Sequence, residues 1–120
     1  GQVTIGDDAT LGGATLVHQF CHIGEHAFAA YGARINKDVP PFITVSEGKA
    51  RPRGLNVEGL RRRGFSEERI RLLKDAYRVL YRSGLSLEEA AAQLRERAAD
   101  SEDLLRLCDF LDQRSRGLVR

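Results

Sequence analysis

Residues 5–40 divide without remainder into six units of six: IGDDAT, LGGATL, VHQFCH, IGEHAF, AAYGAR and INKDVP. The first position reads Ile5, Leu11, Val17, Ile23, Ala29 and Ile35, all aliphatic. The fifth reads Ala9, Thr15, Cys21, Ala27, Ala33 and Val39, all small or β-branched. The second reads Gly6, Gly12, His18, Gly24, Ala30 and Asn36, mostly small. No helical period sustains this pattern. A short fixed period describes a wound array instead, in which each unit is one side of a coil and stacks on its copy one turn later. Three units make a triangular coil of eighteen residues. Coils then stack at roughly the inter-strand spacing of 4.8 Å. Ile5 lies under Ile23, Val17 under Ile35, and His18 under Asn36.

This frame decides how the histidines are read. VHQFCHIGEHAF, Val17–Phe28, holds all three of them, at His18, His22 and His26, together with Cys21. On a helix they would line one face and resemble a zinc site. On the coil they occupy positions two, six and four, around a corner, so no metal site is expected within one chain. Cys21 falls at an inward position as a small core residue. His22 and His26 are expected at the surface. His18 fills a slot otherwise mostly small, and with Gln19 it projects from a face of the prism. On sequence alone, an ordinary surface histidine and a cleft-lining one both remain open.

DVPPF, Asp38–Phe42, is expected to end the repeat, because Pro40 and Pro41 remove ladder donors. Residues 42–55 read as a connecting loop, or as a short extended excursion. Asn56 can cap a short helix through Arg63, with Gly64 as its stop. Ser66 caps a second helix to about Ser83, with Ile70, Leu73, Ala76, Tyr77 and Leu80 inward. SLEE, Ser86–Glu89, is a capping box that opens a third, with Leu87, Ala90, Ala91 and Leu94 inward. Ser101 opens a fourth, with Leu104, Leu105, Cys108 and Leu111 inward. The expected fold class is mixed β and α. A parallel β-helix over 1–41 precedes a small helical domain over 56–120.

Charge separates the two parts. Residues 1–50 carry three basic and five acidic groups; residues 51–120 carry sixteen basic and twelve acidic. The arginines clustered between Arg51 and Arg82 can meet a phosphate or an acidic partner, or simply form solvated helix faces. No apolar run reaches membrane-spanning length, and no leader is read at the start. Two cysteines are no disulfide framework, which makes a reducing compartment the default.

VHQFCHIG, DVPPF, NVEGLRRRGFS, YRSG and RGLVR together resemble the C-terminal part of the UDP-N-acetylglucosamine acyltransferases. The resemblance covers essentially the whole chain. It implies a left-handed β-helix, a C-terminal helical domain and a cytoplasmic homotrimer with active sites between neighbouring prisms. It also implies transfer of an (R)-3-hydroxyacyl group from acyl carrier protein to the 3-hydroxyl of UDP-N-acetylglucosamine, the first step of lipid A synthesis. No cofactor, metal, nucleic acid or membrane span is implied. By the same resemblance His18 and Gln19 lie beside the sugar-nucleotide, and Asn56 and Glu58 near its nucleotide end. Arg63 faces the diphosphate. Arg62 approaches the carrier-protein side, joined by Arg69, Arg71, Lys74 and Arg78 as a salt-sensitive basic surface. Gly1 matches a glycine whose amide stabilises the oxyanion within an intact chain. Tyr31 stands above Gly13 where long-chain relatives carry glycine, which makes it the acyl-chain ruler.

The sequence departs from the family pattern in two places. The family's general-base histidine lies upstream of Gly1, and Gln2 stands where relatives often carry histidine. A neutral amide cannot exchange a proton near neutrality. The 120 residues are therefore expected to be an inactive fragment of the enzyme, general acid–base help being worth ~10²–10⁴-fold. The alternative is a non-catalytic module binding carrier protein or sugar-nucleotide. A hexapeptide-repeat assembly protein leaves the NVEGLRRRGF residues unexplained, and a γ-carbonic anhydrase-like metal enzyme finds no support in the histidine geometry.

Overall fold

The computed structural model of the chain describes residues 2–113 and 117–120. Among these residues nine short strands precede four α-helices, with a 3-10 turn at Ala98–Asp100 before the last. The strands are β1 (Thr4–Ile5), β2 (Thr10–Leu11), β3 (Leu16–Val17), β4 (His22–Ile23), β5 (Phe28–Ala29), β6 (Ala33–Ile35), β7 (Ile43–Val45), β8 (Gly48–Lys49) and β9 (Pro52–Leu55). They fall into three sheets visited in rotation: β1-β4, β2-β5-β7-β9 and β3-β6-β8. All pairings are parallel except β7 with β9. Thr4 pairs with His22, Thr10 with Phe28 and Leu16 with Arg34, so each side stacks on the residue eighteen further on, as the hexads require.

Two features of the hexad acquire a physical cause. The second position is small because it sits directly under the next coil's backbone. A Cβ on Gly6 would fall 2.5 Å from the Glu25 nitrogen, and one on Gly12 2.7 Å from that of Tyr31. The fourth position turns each corner in the left-handed region: Asp8, Ala14, Phe20, His26 and Gly32 all have φ between +56° and +74°. Four of these five are not glycine, a conformation that side chains resist.

The stacking does not stop at the prolines. Phe28 pairs with Thr44 and Ala33 with Gly48, so the repeat shortens to sixteen and then fifteen residues and continues. Pro40 and Pro41 lie in the corner before β7, outside any strand, where a missing donor costs the ladder nothing. Residues 42–55 are therefore not a connecting loop. They supply a third turn of the coil and the antiparallel strand β9, which leads into the helices.

The helices are α1 (Val57–Arg62), α2 (Glu67–Tyr81), α3 (Leu87–Arg97) and α4 (Glu102–Gln113). The expected caps are in place. Asn56, Ser66 and Ser86 accept from the backbone of Gly59, Arg69 and Glu89, and Ser86 with Glu89 closes the capping box. Hydrogen bonds from Ser86 hold the Glu89 carboxyl below the usual carboxylate range. The apolar stripes bury as expected on α2; on α3 Ala90 and Leu94 bury while Leu87 and Ala91 are half-buried, and on α4 Leu105 is exposed and Leu107 and Phe110 turn inward.

Two cores interlock. The coil core holds Ile23, Ala29, Ile35, Ile43 and Val45, and it takes in Tyr77 from α2 and Val119. The helical core takes in Phe42 from the coil. Burial pushes the Tyr81 hydroxyl well above its ordinary range, and that hydroxyl donates to the Val119 carbonyl at 3.0 Å. Segment 117–119 returns to the coil. Gly117 and Val119 bond both sides of the Asp38 backbone at 2.8 and 2.9 Å. No helix among the described residues is long and apolar enough to cross a membrane.

Candidate functional site

A cleft of about 670 Å³ opens where the second side of the coil meets α1. Asp8, Thr10, His26, Phe28 and Thr44 line it from the coil, and Asn56, Glu58, Gly59, Arg62 and Arg63 from the start of the helical part. Four residues singled out in the sequence, Asn56, Glu58, Arg62 and Arg63, thus converge on one wall.

Asn56 positions that wall. Its Oδ1 caps α1 by accepting from the Gly59 amide at 3.2 Å, and its Nδ2 donates to the His26 carbonyl at 3.0 Å. One side chain therefore caps the helix and ties it to the coil. Gly59 makes this possible, because a Cβ there would collide with the Asn56 amide. Glu58 and Arg62 face each other one helical turn apart at 3.7 Å, both largely exposed. Such a pair contributes little and is screened by salt. Arg63, at the C-cap of α1, reaches back so that Nη2 lies 3.0 Å from Asp8 Oδ1.

His18 and Gln19 are elsewhere. Both are exposed, and His18 lines a separate cleft of about 530 Å³ with Leu16, Val17, Arg34, Ile35, Asn36 and Lys49. One chain does not bring the two sets together. Tyr31 is 71 % exposed, and its ring covers Gly13, where a Cβ would lie 3.1 Å from Cε2. Gly1 lies outside the described residues, as does Arg116 of the RGLVR motif.

His26 is not at the surface: it is 9 % exposed. Its ring lies parallel to Phe42 at 6.0 Å and meets the edge of Phe65 at 5.1 Å. His22 is half-buried against Phe110, ring centroids 4.6 Å apart. The hexad frame alone placed both outside, because it carries no account of helices packing back onto the coil. The contribution of Asp8 and His26 to the cleft was missed. The available signal was their separation of eighteen residues, which stacks His26 on Asp8. Cys21 is buried as expected. No group of three or more His, Cys, Asp and Glu among the described residues is arranged to hold a metal ion.

The basic surface on α2 is smaller than its sequence. Arg69 forms a bidentate pair with Asp103 of α4 at 2.9 Å for each bond, and lies over the Phe65 ring. That pairing holds the Arg69 guanidinium above its ordinary range. Arg78 pairs with Asp75. Arg71 and Lys74 enter no ion pair within 4 Å among the described residues.

In sequence and in overall fold the chain is similar to known proteins. The family model described as UDP N-acetylglucosamine O-acyltransferase, domain 2, matches residues 38–119. The acyl-(acyl-carrier-protein)–UDP-N-acetylglucosamine O-acyltransferase of Stenotrophomonas maltophilia (strain K279a) is 51% identical over 121 residues, covering 100% of this chain and 46% of its own length. That of Halorhodospira halophila (strain DSM 244 / SL1) is 54% identical over 105 residues, covering 88% of this chain and 41% of its own. Among solved structures, the UDP-N-acetylglucosamine acyltransferase of Francisella novicida superposes with a TM-score of 0.97 at 42% identity, covering 100% of this chain and 44% of that one. The chain spans about half the length of the curated relatives it matches. With the family model matched over most of its residues, the chain belongs to the UDP-N-acetylglucosamine O-acyltransferase family.

Proposed function

We propose that the chain is the C-terminal part of a cytoplasmic enzyme of lipid A synthesis. The enzyme moves an (R)-3-hydroxyacyl group from acyl carrier protein to the 3-hydroxyl of UDP-N-acetylglucosamine. The observation that carries the reading is the convergence of Asn56, Glu58, Arg62 and Arg63 on one cleft. In this reading residues 1–41 with strands β7 and β8 form a left-handed parallel β-helix, the antiparallel β9 leads out of it, and residues 56–120 form the helical domain.

Three copies assemble with sites between neighbouring coils. The separation of His18 and Gln19 from the Asn56–Arg63 cleft supports this, since a neighbour can bring the two sets face to face. Exposed Leu16, Phe20 and Tyr31 are apolar groups for such an assembly to cover. Arg63 binds the diphosphate, with Asn56 and Glu58 at the nucleotide end and His18 and Gln19 beside the sugar. Arg62, with Arg71 and Lys74, meets the acidic carrier protein. The sugar hydroxyl attacks the thioester carbonyl, the Gly1 amide stabilises the oxyanion, and the carrier thiol leaves. None of residues 1–120 is assigned as general base. The reaction needs no cofactor beyond the phosphopantetheine that carries the acyl group. Tyr31 shortens the acyl groove, so the preferred chain is shorter than in relatives with glycine there.

Calorimetric titration of the full-length protein with UDP-N-acetylglucosamine tests the site. Arg63→Ala is expected to weaken binding about tenfold or more, a charge-assisted contact being worth roughly 1.5–3 kcal/mol. Arg61→Ala is the control, because Arg61 points away to Glu67 with bonds of 2.9 Å. Equal affinity of the two variants overturns the assignment. For the ruler, Tyr31→Gly assayed against a ladder of hydroxyacyl carrier proteins is expected to shift the preference to longer chains, and an unchanged preference in a trimeric variant removes Tyr31 from that role.

A further inference from the structure

The wall of the cleft opposite α1 holds two groups that the reading above leaves without a task. Asp8 lies at a corner of the first coil, one turn below His26. Its carboxylate is shared: Oδ1 lies 3.0 Å from Arg63 Nη2, and Oδ2 lies 3.8 Å from His26 Nε2. The Arg63 side chain is 60% exposed and Asp8 35%, whereas His26 is enclosed. Around His26 stand Phe42 and Phe65, with Asn56 bonded to its carbonyl. Of the other charges nearby, Arg69 over Phe65 is held by Asp103, Glu25 by Arg106, and Glu58 lies beside Arg62 one turn along α1, while Asp7 lines a separate cleft with His22 and Glu25. Asp8 and Arg63 are left as the charges that a ligand in this cleft would rearrange.

We propose that Asp8 is a specificity-determining residue of the nucleotide subsite: its carboxylate holds Arg63 while the subsite is empty, releases it to the diphosphate, and turns to His26, which takes up a proton. The inference rests on the assignment of Arg63 to the diphosphate. A carboxylate 3.0 Å from the guanidinium occupies the position an incoming phosphate oxygen needs. When Arg63 turns to the ligand, Asp8 loses its opposite charge and gains like charges close by. Both changes favour a proton on the base beside it. The proton comes from solvent and no covalent bond to carbon or phosphorus changes. A neutral or singly charged nucleotide end cannot drive this exchange as well as a diphosphate, which is how the arrangement selects.

Titration with UDP-N-acetylglucosamine tests this, because each phosphate of that ligand carries one ester bond and the shared anhydride bond, so neither titrates near neutrality. The full-length protein is titrated between roughly pH 6 and 8, where histidine changes charge, in two buffers of different ionisation enthalpy. Wild type is expected to take up protons on binding. Asp8→Asn isolates the charge, because asparagine tolerates the left-handed backbone at this corner, φ 60°. It is expected to bind about two- to fivefold tighter, the fold-change an exposed ion pair represents, with less proton uptake. His26→Gln is expected to bind without proton uptake. Asp8→Asn carries the test by itself if His26→Gln does not fold. Weaker binding by Asp8→Asn, or wild-type binding without proton exchange, overturns the proposal while leaving Arg63 in place. Arg63→Ala binding as tightly as wild type overturns both readings together.

Discussion

In the coil, each core side chain meets partners about eighteen residues away, whereas on the helices the inward residues recur every three or four. Ile23 pairs with Ile5 one turn below and bridges Val39 one turn above, and it is 1% exposed. Stacked turns on both sides enclose it. Leu94 and Leu111 are fully buried on the inward faces of α3 and α4, within a core built mostly by α2, α3 and α4 and completed by Phe42, Leu60 and Leu118. Burial in the coil is therefore a property of the stack, and burial in the helices is a property of the local sequence.

This contrast can be broken from either side. The largest effect is expected from Leu94→Ala, which opens a cavity in the helical core and should cost ~2–5 kcal/mol in denaturant unfolding of the full-length protein. An effect below ~1 kcal/mol would mean that this core is less consolidated than its burial implies. Gly24→Ala comes next. A Cβ on Gly24 would press into the backbone nitrogen of Pro41 one turn above. The forced separation of two turns should cost roughly 1–3 kcal/mol, although the change adds a single methyl group. A neutral outcome would show that the turns can part freely. The smallest effect should have the opposite sign. Ala14 is exposed and left-handed, φ 58°. Relieving a left-handed residue is worth ~1–2 kcal/mol and the added chain freedom of glycine costs ~0.4–1. Ala14→Gly should therefore stabilise by about half a kcal/mol. Destabilisation would mean that the corner conformation is cheaper than the dihedral implies.

The same contrast explains what could be read in advance. The helix caps were legible because each is a local chemical event between residues three apart, such as Ser86 with Glu89. The coil was legible while its period held. Past Ile35 the repeat shortens by two and then three residues, and no residue in INKDVPPF announces the change. The left-handed corners were invisible too, since Asp8, Ala14, Phe20 and His26 share no side-chain chemistry. In the cleft, NVEGLRRRGF pointed to Asn56, Glu58, Arg62 and Arg63, which lie within two turns of chain. Asp8 and His26 belong to the same cleft through stacking and through the return of Phe65 onto His26. That return depends on tertiary packing, which a hexad count does not contain.

The return of segment 117–119 to Asp38 has a consequence for the order of assembly. Asp38 is fully buried, and its backbone is bonded to Gly117 and Val119, while its Oδ1 accepts from the His22 amide at 2.8 Å. During synthesis the coil can wind turn by turn as it leaves the ribosome, because each strand finds its partner among residues already made. Asp38 differs in part: its side chain bonds to His22, made earlier, but its backbone partners Gly117 and Val119 are made only after all four helices. The pairing of 117–119 with Asp38 is therefore the last of these long-range contacts that synthesis makes available.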